Sequence, residues 1–85
     1  LPDTEILFWR TTKGAEVDFA IETGRRLLPI QVKASARLGP ADVRHVHTFL
    51  DEYSDLAQCG LVLYDGAETF WLTNRVLAAP WWRVV

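Results

Sequence analysis

Residues 16–33 read EVDFAIETGRRLLPIQVK, and the fold turns on how this stretch pairs with itself. Val17, Phe19 and Ile21 alternate with Glu16, Asp18 and Ala20, the two-residue period of a strand. Thr23-Gly24-Arg25-Arg26 follows as a hairpin connection, with Gly24 able to take positive φ. A second strand runs from Leu27 to about Ala34, with Leu28, Ile30 and Val32 on one side and Pro29, Gln31 and Lys33 on the other. Pro29 has no donor for a ladder bond, so the strand is expected to face an edge or bulge there. Directly opposed residues of an antiparallel pair share a face, so parity restricts the options. If Glu22 pairs with Leu27, Asp18 faces Gln31 and Glu16 faces Lys33. If Thr23-Gly24 alone makes the turn, Glu16 faces Gln31 and Asp18 faces Pro29. Both registers gather Glu16, Asp18, Gln31 and Lys33 and place Val17, Phe19, Ile21, Leu28, Ile30 and Val32 on a core face. A slip of one residue would bury the charges.

Upstream, Glu5 to Arg10 (EILFWR) is short, aromatic and β-branched, which reads as a strand, and Thr11 to Gly14 (TTKG) is a turn leading into a strand from Ala15 to Glu22. Downstream, Ser35 to Gly39 is a connection, Pro40 suits a first helical position, and Asp42 falls in the first turn beside the positive end of the dipole. Val43, Val46, Phe49, Leu50 and Tyr53 recur at helical steps, which predicts an amphipathic helix ending near Tyr53-Ser54. Gly60 to Tyr64 (GLVLY) reads as a buried strand. Asp65-Gly66 signals a hairpin turn, and Glu68 to Leu72 is the returning strand. The tail from Asn74 to Val85, with Pro80, Trp81 and Trp82, is apolar enough to lie against something. The order β-β-β-α-β-β predicts an α/β domain with a mixed sheet and one main covering helix.

Composition bounds the function. The 85 residues, 49% hydrophobic and 24% charged, make one domain spanning residues 1–85. Cys59 is the single cysteine, so no disulfide forms within the chain. A formal charge of -2 argues against a dedicated, high-affinity nucleic-acid binder, which usually carries a basic excess. Arg25, Arg26, Lys33, Arg37 and Arg44 still fall within one third of the chain and could form a local patch. No apolar run approaches the roughly eighteen residues of a membrane span, and no basic segment followed by an apolar run occurs in these residues, so the expected setting is cytoplasmic with no membrane partner. A start at Leu1-Pro2 rather than Met suggests a fragment of a longer protein.

The segments GAEVDFAIE and LPIQVKAS resemble the PD-(D/E)XK nuclease superfamily, the restriction-endonuclease-like fold. More narrowly, with FWRTTKGAEVDF, VRHVHTFLDEY, LVLYDG and VLAAPWW, the chain resembles the C-terminal domain of uncharacterised function that follows a P-loop AAA-type ATPase domain. That resemblance covers nearly the whole chain. It implies a restriction-endonuclease-like core whose N-terminal helix precedes this fragment, and an upstream ATPase domain as partner. By the superfamily pattern Asp18 matches the metal-binding aspartate, Gln31 stands where an acidic residue is usual, and Lys33 matches the lysine. A Mg²⁺ cofactor would be held by Asp18, Gln31 and the Val32 carbonyl, with Lys33 holding the attacking water or steadying developing charge. Gln31 removes one negative charge, for which Glu16 could compensate. The expected function is therefore a degenerate nuclease-like module that contributes nucleic-acid or partner contact. An active Mg²⁺-dependent DNA nuclease and a docking or homodimerisation module without nucleic-acid contact are the alternatives.

The plain alternative for the hairpin is a cross-strand Glu16–Lys33 ion pair worth roughly 0.2–1 kcal/mol, with Asp18 and Gln31 as solvated neighbours. His45 and His47 diverge by about 200° on a helix and cannot chelate one metal together. His47 is expected partly packed and His45 exposed. Ser35 and Thr48 have no readable base or supporting acid. Cys59 reads as a small core residue. No glycine-rich phosphate loop occurs, so any ATPase activity belongs to another part of the protein. Trp81 and Trp82 could stack bases, but a tail closing over the core or docking on a partner is the preferred reading.

Overall fold

A computed structural model describes the backbone of residues 4–10 and 16–83 and the side chains of residues 17–83. The elements are β1 (Thr4–Arg10), β2 (Glu16–Thr23), β3 (Arg26–Val32), α1 (Pro40–Glu52), β4 (Gly60–Tyr64), β5 (Phe70–Trp71), β6 (Val76–Pro80) and a 3-10 turn at Trp81–Arg83. Six strands form one mixed sheet in the order β1-β2-β3-β4-β6-β5. β1, β2 and β3 pair antiparallel, β3, β4 and β6 pair parallel, and β5 returns antiparallel on β6. The expected turn at Thr11–Gly14 lies outside the described residues.

The β2–β3 hairpin takes the register in which Glu22 opposes Leu27, and Thr23 then opposes Arg26 across a two-residue loop. Gly24 has φ +59°, and no other residue has positive φ among the described residues, which makes the Gly24-Arg25 loop a type II′ turn suited to the twist of a hairpin. Along the β1–β2 pair Leu7 opposes Ala20 but Trp9 opposes Val17, so Asp18 and Phe19 together face Phe8. This is a β-bulge. It reverses the alternation of β2, and Val17 and Ala20 consequently share one buried cluster, which a straight strand forbids.

β3 has the placement that Pro29 demands. The N–H groups of Leu27 and Lys33 point toward β4, bonding the Leu56 and Leu63 carbonyls at 2.9 and 2.7 Å. Pro29 has the same parity, so its missing donor falls on that side, one residue before the β3–β4 ladder opens at Ile30 and Leu61. There β3 is still an edge, where proline is tolerated.

The helix covers the opposite face from the one expected. Val46, Phe49 and Leu50 of α1 pack with Val17, Ala20, Leu27, Val62 and Val76, as the helical period predicted, with Val43 and Tyr53 against the margin. Leu28, Ile30 and Val32 look the other way: Ile30 clusters with Leu63 and Ala79, while Val32 is 44% exposed. Placing Val17 through Val32 on one core face is therefore corrected. An interior strand paired parallel on one side is apolar on both faces, so alternation does not reveal which side the helix takes. Gly60 allows the close approach of α1, since a Cβ there would overlap Val46 Cγ1.

The C-terminal third also departs from the expected β-β-β-α-β-β order. Asp65-Gly66 does not close a hairpin, because both flanks of β4 are taken by β3 and β6. The Tyr64 hydroxyl instead donates to the Glu68 carbonyl at 2.7 Å and ties down the loop. The returning strand shrinks to Phe70–Trp71 and pairs with β6, a seventh element in the tail. Among the described residues no helix is long and apolar enough to cross a membrane.

Candidate functional site

Because β3, β4 and β6 run parallel, their carboxyl ends share one margin of the sheet, the usual location of sites in such sheets. β2 runs antiparallel and starts there, and α1 begins there after the connection from β3. Strand direction alone thus brings Asp18, Gln31, Lys33, Ser35, Asp42, Asp65 and Trp81 to the same edge.

The bulge aims Asp18 at the backbone. The β2–β3 ladder stops at Phe19 and Ile30, leaving the Val32 N–H on the β2 side without a strand partner. Asp18 Oδ2 accepts that N–H at 2.6 Å, so the carboxylate stands in for a ladder carbonyl. Gln31 lies on the helix-covered side in register with Val62, and its Oε1 is buried without a hydrogen-bond partner. Lys33 Nζ donates to Asp42 Oδ1 at 2.8 Å. Asp42 Oδ2 accepts the Gly39 N–H at 2.6 Å, satisfying a donor at the start of α1. The hydrogen bond from Lys33 is the main reason that the Asp42 carboxyl titrates below its ordinary range; the Gly39 N–H adds to this, and burial opposes it.

Sequence reasoning placed Asp42 in the first helical turn but did not see it as the partner of Lys33. The expected partner, Glu16, has a side chain outside the described residues. The expected Asp18–Gln31 opposition would follow from extending the ladder by one pair, but the ladder ends at Phe19 and Ile30 and Asp18 bonds the Val32 N–H instead. No signal in a strand of alternating residues marks a bulge, whereas the acid at the third helical position was a readable capping residue.

Next to these groups stand the two indoles. Trp81 Nε1 donates to Asp65 Oδ1 at 2.9 Å, and the Asp65 N–H donates to the Ser35 carbonyl at 3.0 Å. Ser35 Oγ in turn accepts the Arg37 N–H at 3.0 Å. Trp81 and Trp82 meet edge to face with centroids 5.9 Å apart, and they remain 49% and 44% exposed. The tail closes the core through β6, but its tryptophans do not. His47 Nε2 is bonded with Thr73 Oγ1 at 2.9 Å, and His45 is partly buried rather than exposed. Cys59 is also exposed, against the expectation of a core position, because it stands one residue ahead of β4.

For a divalent cation the donor set is thin. No group of three or more His, Cys, Asp or Glu side chains gathers among the described residues. Asp18 supplies one carboxylate that already accepts a backbone N–H, and Gln31 and the Val32 carbonyl are neutral. Mg²⁺ demands octahedral oxygen ligation and relies on carboxylate charge, so these residues do not fit a dedicated Mg²⁺ site.

Residues 2–84 match the model of the domain of unknown function DUF4143, and the chain belongs to that family. No curated protein and no solved structure matches it.

Proposed function

We propose that this family member is a nuclease-like module of the PD-(D/E)XK type that has lost cleavage, serves as the C-terminal part of a larger AAA-type ATPase, and contacts single-stranded nucleic acid through its strand-end edge. The observation that carries the contact is the exposed Trp81–Trp82 pair, with Trp81 pinned by Asp65 beside Ser35 and Arg37. Exposed indoles on a rigid edge offer stacking surfaces that accept any base, and a nearby cation suits the phosphate.

Loss of cleavage is supported by where the would-be catalytic groups are engaged. Lys33 is paired with Asp42, Asp18 holds the Val32 N–H, and Gln31 brings no charge. Phosphodiester hydrolysis needs a water-activating cation and a free charge-stabilising group. Neither is supplied by this set.

Anisotropy of labelled oligonucleotides, with a nicking assay in Mg²⁺ and Mn²⁺, tests both halves. Single strands are expected to bind, with an affinity lowered at least about fivefold by Trp82→Ala, the low end of a stacking contribution, and no cleavage is expected. Cleavage that disappears in both Asp18→Ala and Lys33→Ala would make the domain an active nuclease instead. Absent binding, or binding indifferent to Trp82, would leave the docking module as the better reading.

A further inference from the structure

One group at the strand-end edge works against an ordinary nucleic acid. Asp65 Oδ1 accepts the Trp81 Nε1–H at 2.9 Å, which sets a carboxylate beside the indole that offers a base its face. The Asp65 N–H is itself fixed to the Ser35 carbonyl at 3.0 Å, so the charge stays where it is. An asparagine would hold the same indole N–H without charge, because its side-chain oxygen is also an acceptor. Asp65 is exposed, and among the described residues no cation pairs with it: Lys33 is taken by Asp42 and Arg75 by Asp51. The margin as a whole leans the same way, with Asp18, Asp42 and Asp65 against Lys33 and Arg37. A ring stacked about 3.5–4.0 Å from the indole lies within the roughly 8 Å over which that carboxylate acts in physiological salt. A strand that brings a neutral base to Trp81 therefore gains stacking but meets a like charge.

We propose that the base received by Trp81 is one made cationic by N-methylation of its ring, and that Asp65 is the residue that selects it. The inference rests on the nucleic-acid reading and names the class of base within it. A cationic ring answers both features of the edge at once. It is attracted to the negative face of the indole, tryptophan being the strongest of the aromatic partners, and to the unpaired carboxylate at the indole's rim. A planar cation also covers the indole face, which a compact ammonium does not. The hydrogen bond to Asp65 fixes the Trp81 ring before the ligand arrives, so less freedom is lost on binding. The flanking phosphates still find Arg37, whose guanidinium has no partner among the described residues.

The test uses the full 85-residue chain and labelled single strands of about ten nucleotides. They are identical except for one central base, either 1-methyladenine, which is cationic at neutral pH, or its neutral isomer N6-methyladenine, each in DNA and in RNA. The cationic base is expected to bind at least about threefold more tightly at low salt, and the preference to shrink as salt is raised. Asp65→Asn keeps an acceptor for the Trp81 Nε1–H and removes the charge, so it is expected to bring the two affinities together, while Trp81→Ala lowers both. The indole N–H resonance of Trp81 checks that Asp65→Asn leaves the ring in place. A preference in either backbone supports the proposal, and the backbone that shows it identifies the strand as DNA or RNA. Equal affinities, with binding still sensitive to Trp82, overturn the proposal and leave the nucleic-acid reading standing. A preference that survives Asp65→Asn unchanged also overturns it, because selection then lies with another group. Binding of neither strand removes the nucleic-acid reading and the proposal with it.

Discussion

Two carboxylates at the strand-end edge, Asp18 of the would-be metal set and Asp42 of the helix start, are engaged in holding backbone. Asp18 accepts the Val32 N–H where the β-bulge removes the strand partner. Asp18→Ala is expected to lower stability by about 1 kcal/mol, since the hydrogen bond is charge-assisted but exposed, while Asp18→Asn keeps an acceptor and loses less; urea unfolding measures both. Asp42 joins Lys33 to the start of α1, and its pKa is held below the ordinary 3.8, first by the Lys33 hydrogen bond. A depressed carboxyl contributes stability in full above its unfolded value and loses it as pH falls through the folded value. The stability difference between the wild type and Asp42→Asn, about 1 kcal/mol near neutral pH, should therefore be constant above the ordinary value and shrink below pH 3.8. A difference that persists undiminished in strong acid would show that Asp42 acts through shape rather than charge. Sequence parity expected Asp18 and Lys33 on one sheet face, but which atom each holds depends on a bulge and on a loop path, and neither leaves a mark in residue spacing.

The helix is the element most completely legible in the sequence. Pro40, Asp42 and the spacing of Val46, Phe49 and Leu50 each point to it, and all three apolar residues are buried. Phe49→Ala should cost about 3–5 kcal/mol in unfolding free energy. The contact between α1 and β4 is closed by Gly60, where an added methyl meets the buried Val46 side chain. Gly60→Ala is expected to destabilise by about 1–3 kcal/mol through overpacking, and Val46→Ala in the same chain should recover part of that loss. Simple addition of the two penalties would refute the contact. The strand β6 escaped the sequence reading because Val76–Pro80 is VLAAP. Two alanines and a terminal proline carry little strand propensity, and burial on both faces removes the alternation that would have shown it. Asp65-Gly66 misled for a related reason, since its turn chemistry is real but both sides of β4 are occupied.

At the scale of the molecule, charge and topology set opposite expectations for nucleic acid. A formal charge of -2 disfavours binding by general attraction, while the parallel strands converge Lys33, Arg37 and two exposed indoles on one edge. If stacking carries the contact, few counterions are released. Two phosphate contacts on a single strand give a slope of about −1.4 in log affinity against log salt, and about −0.7 if Asp42 keeps Lys33 from the phosphate. Oligonucleotide anisotropy across a salt series reads this directly. Asp42→Asn frees Lys33 and should steepen the slope by about 0.7, Lys33→Met should prevent that change, and Trp82→Ala should lower affinity by a similar factor at every salt concentration. A slope of about −4 or steeper in the wild type would place the contact on more cations than this edge holds among the described residues.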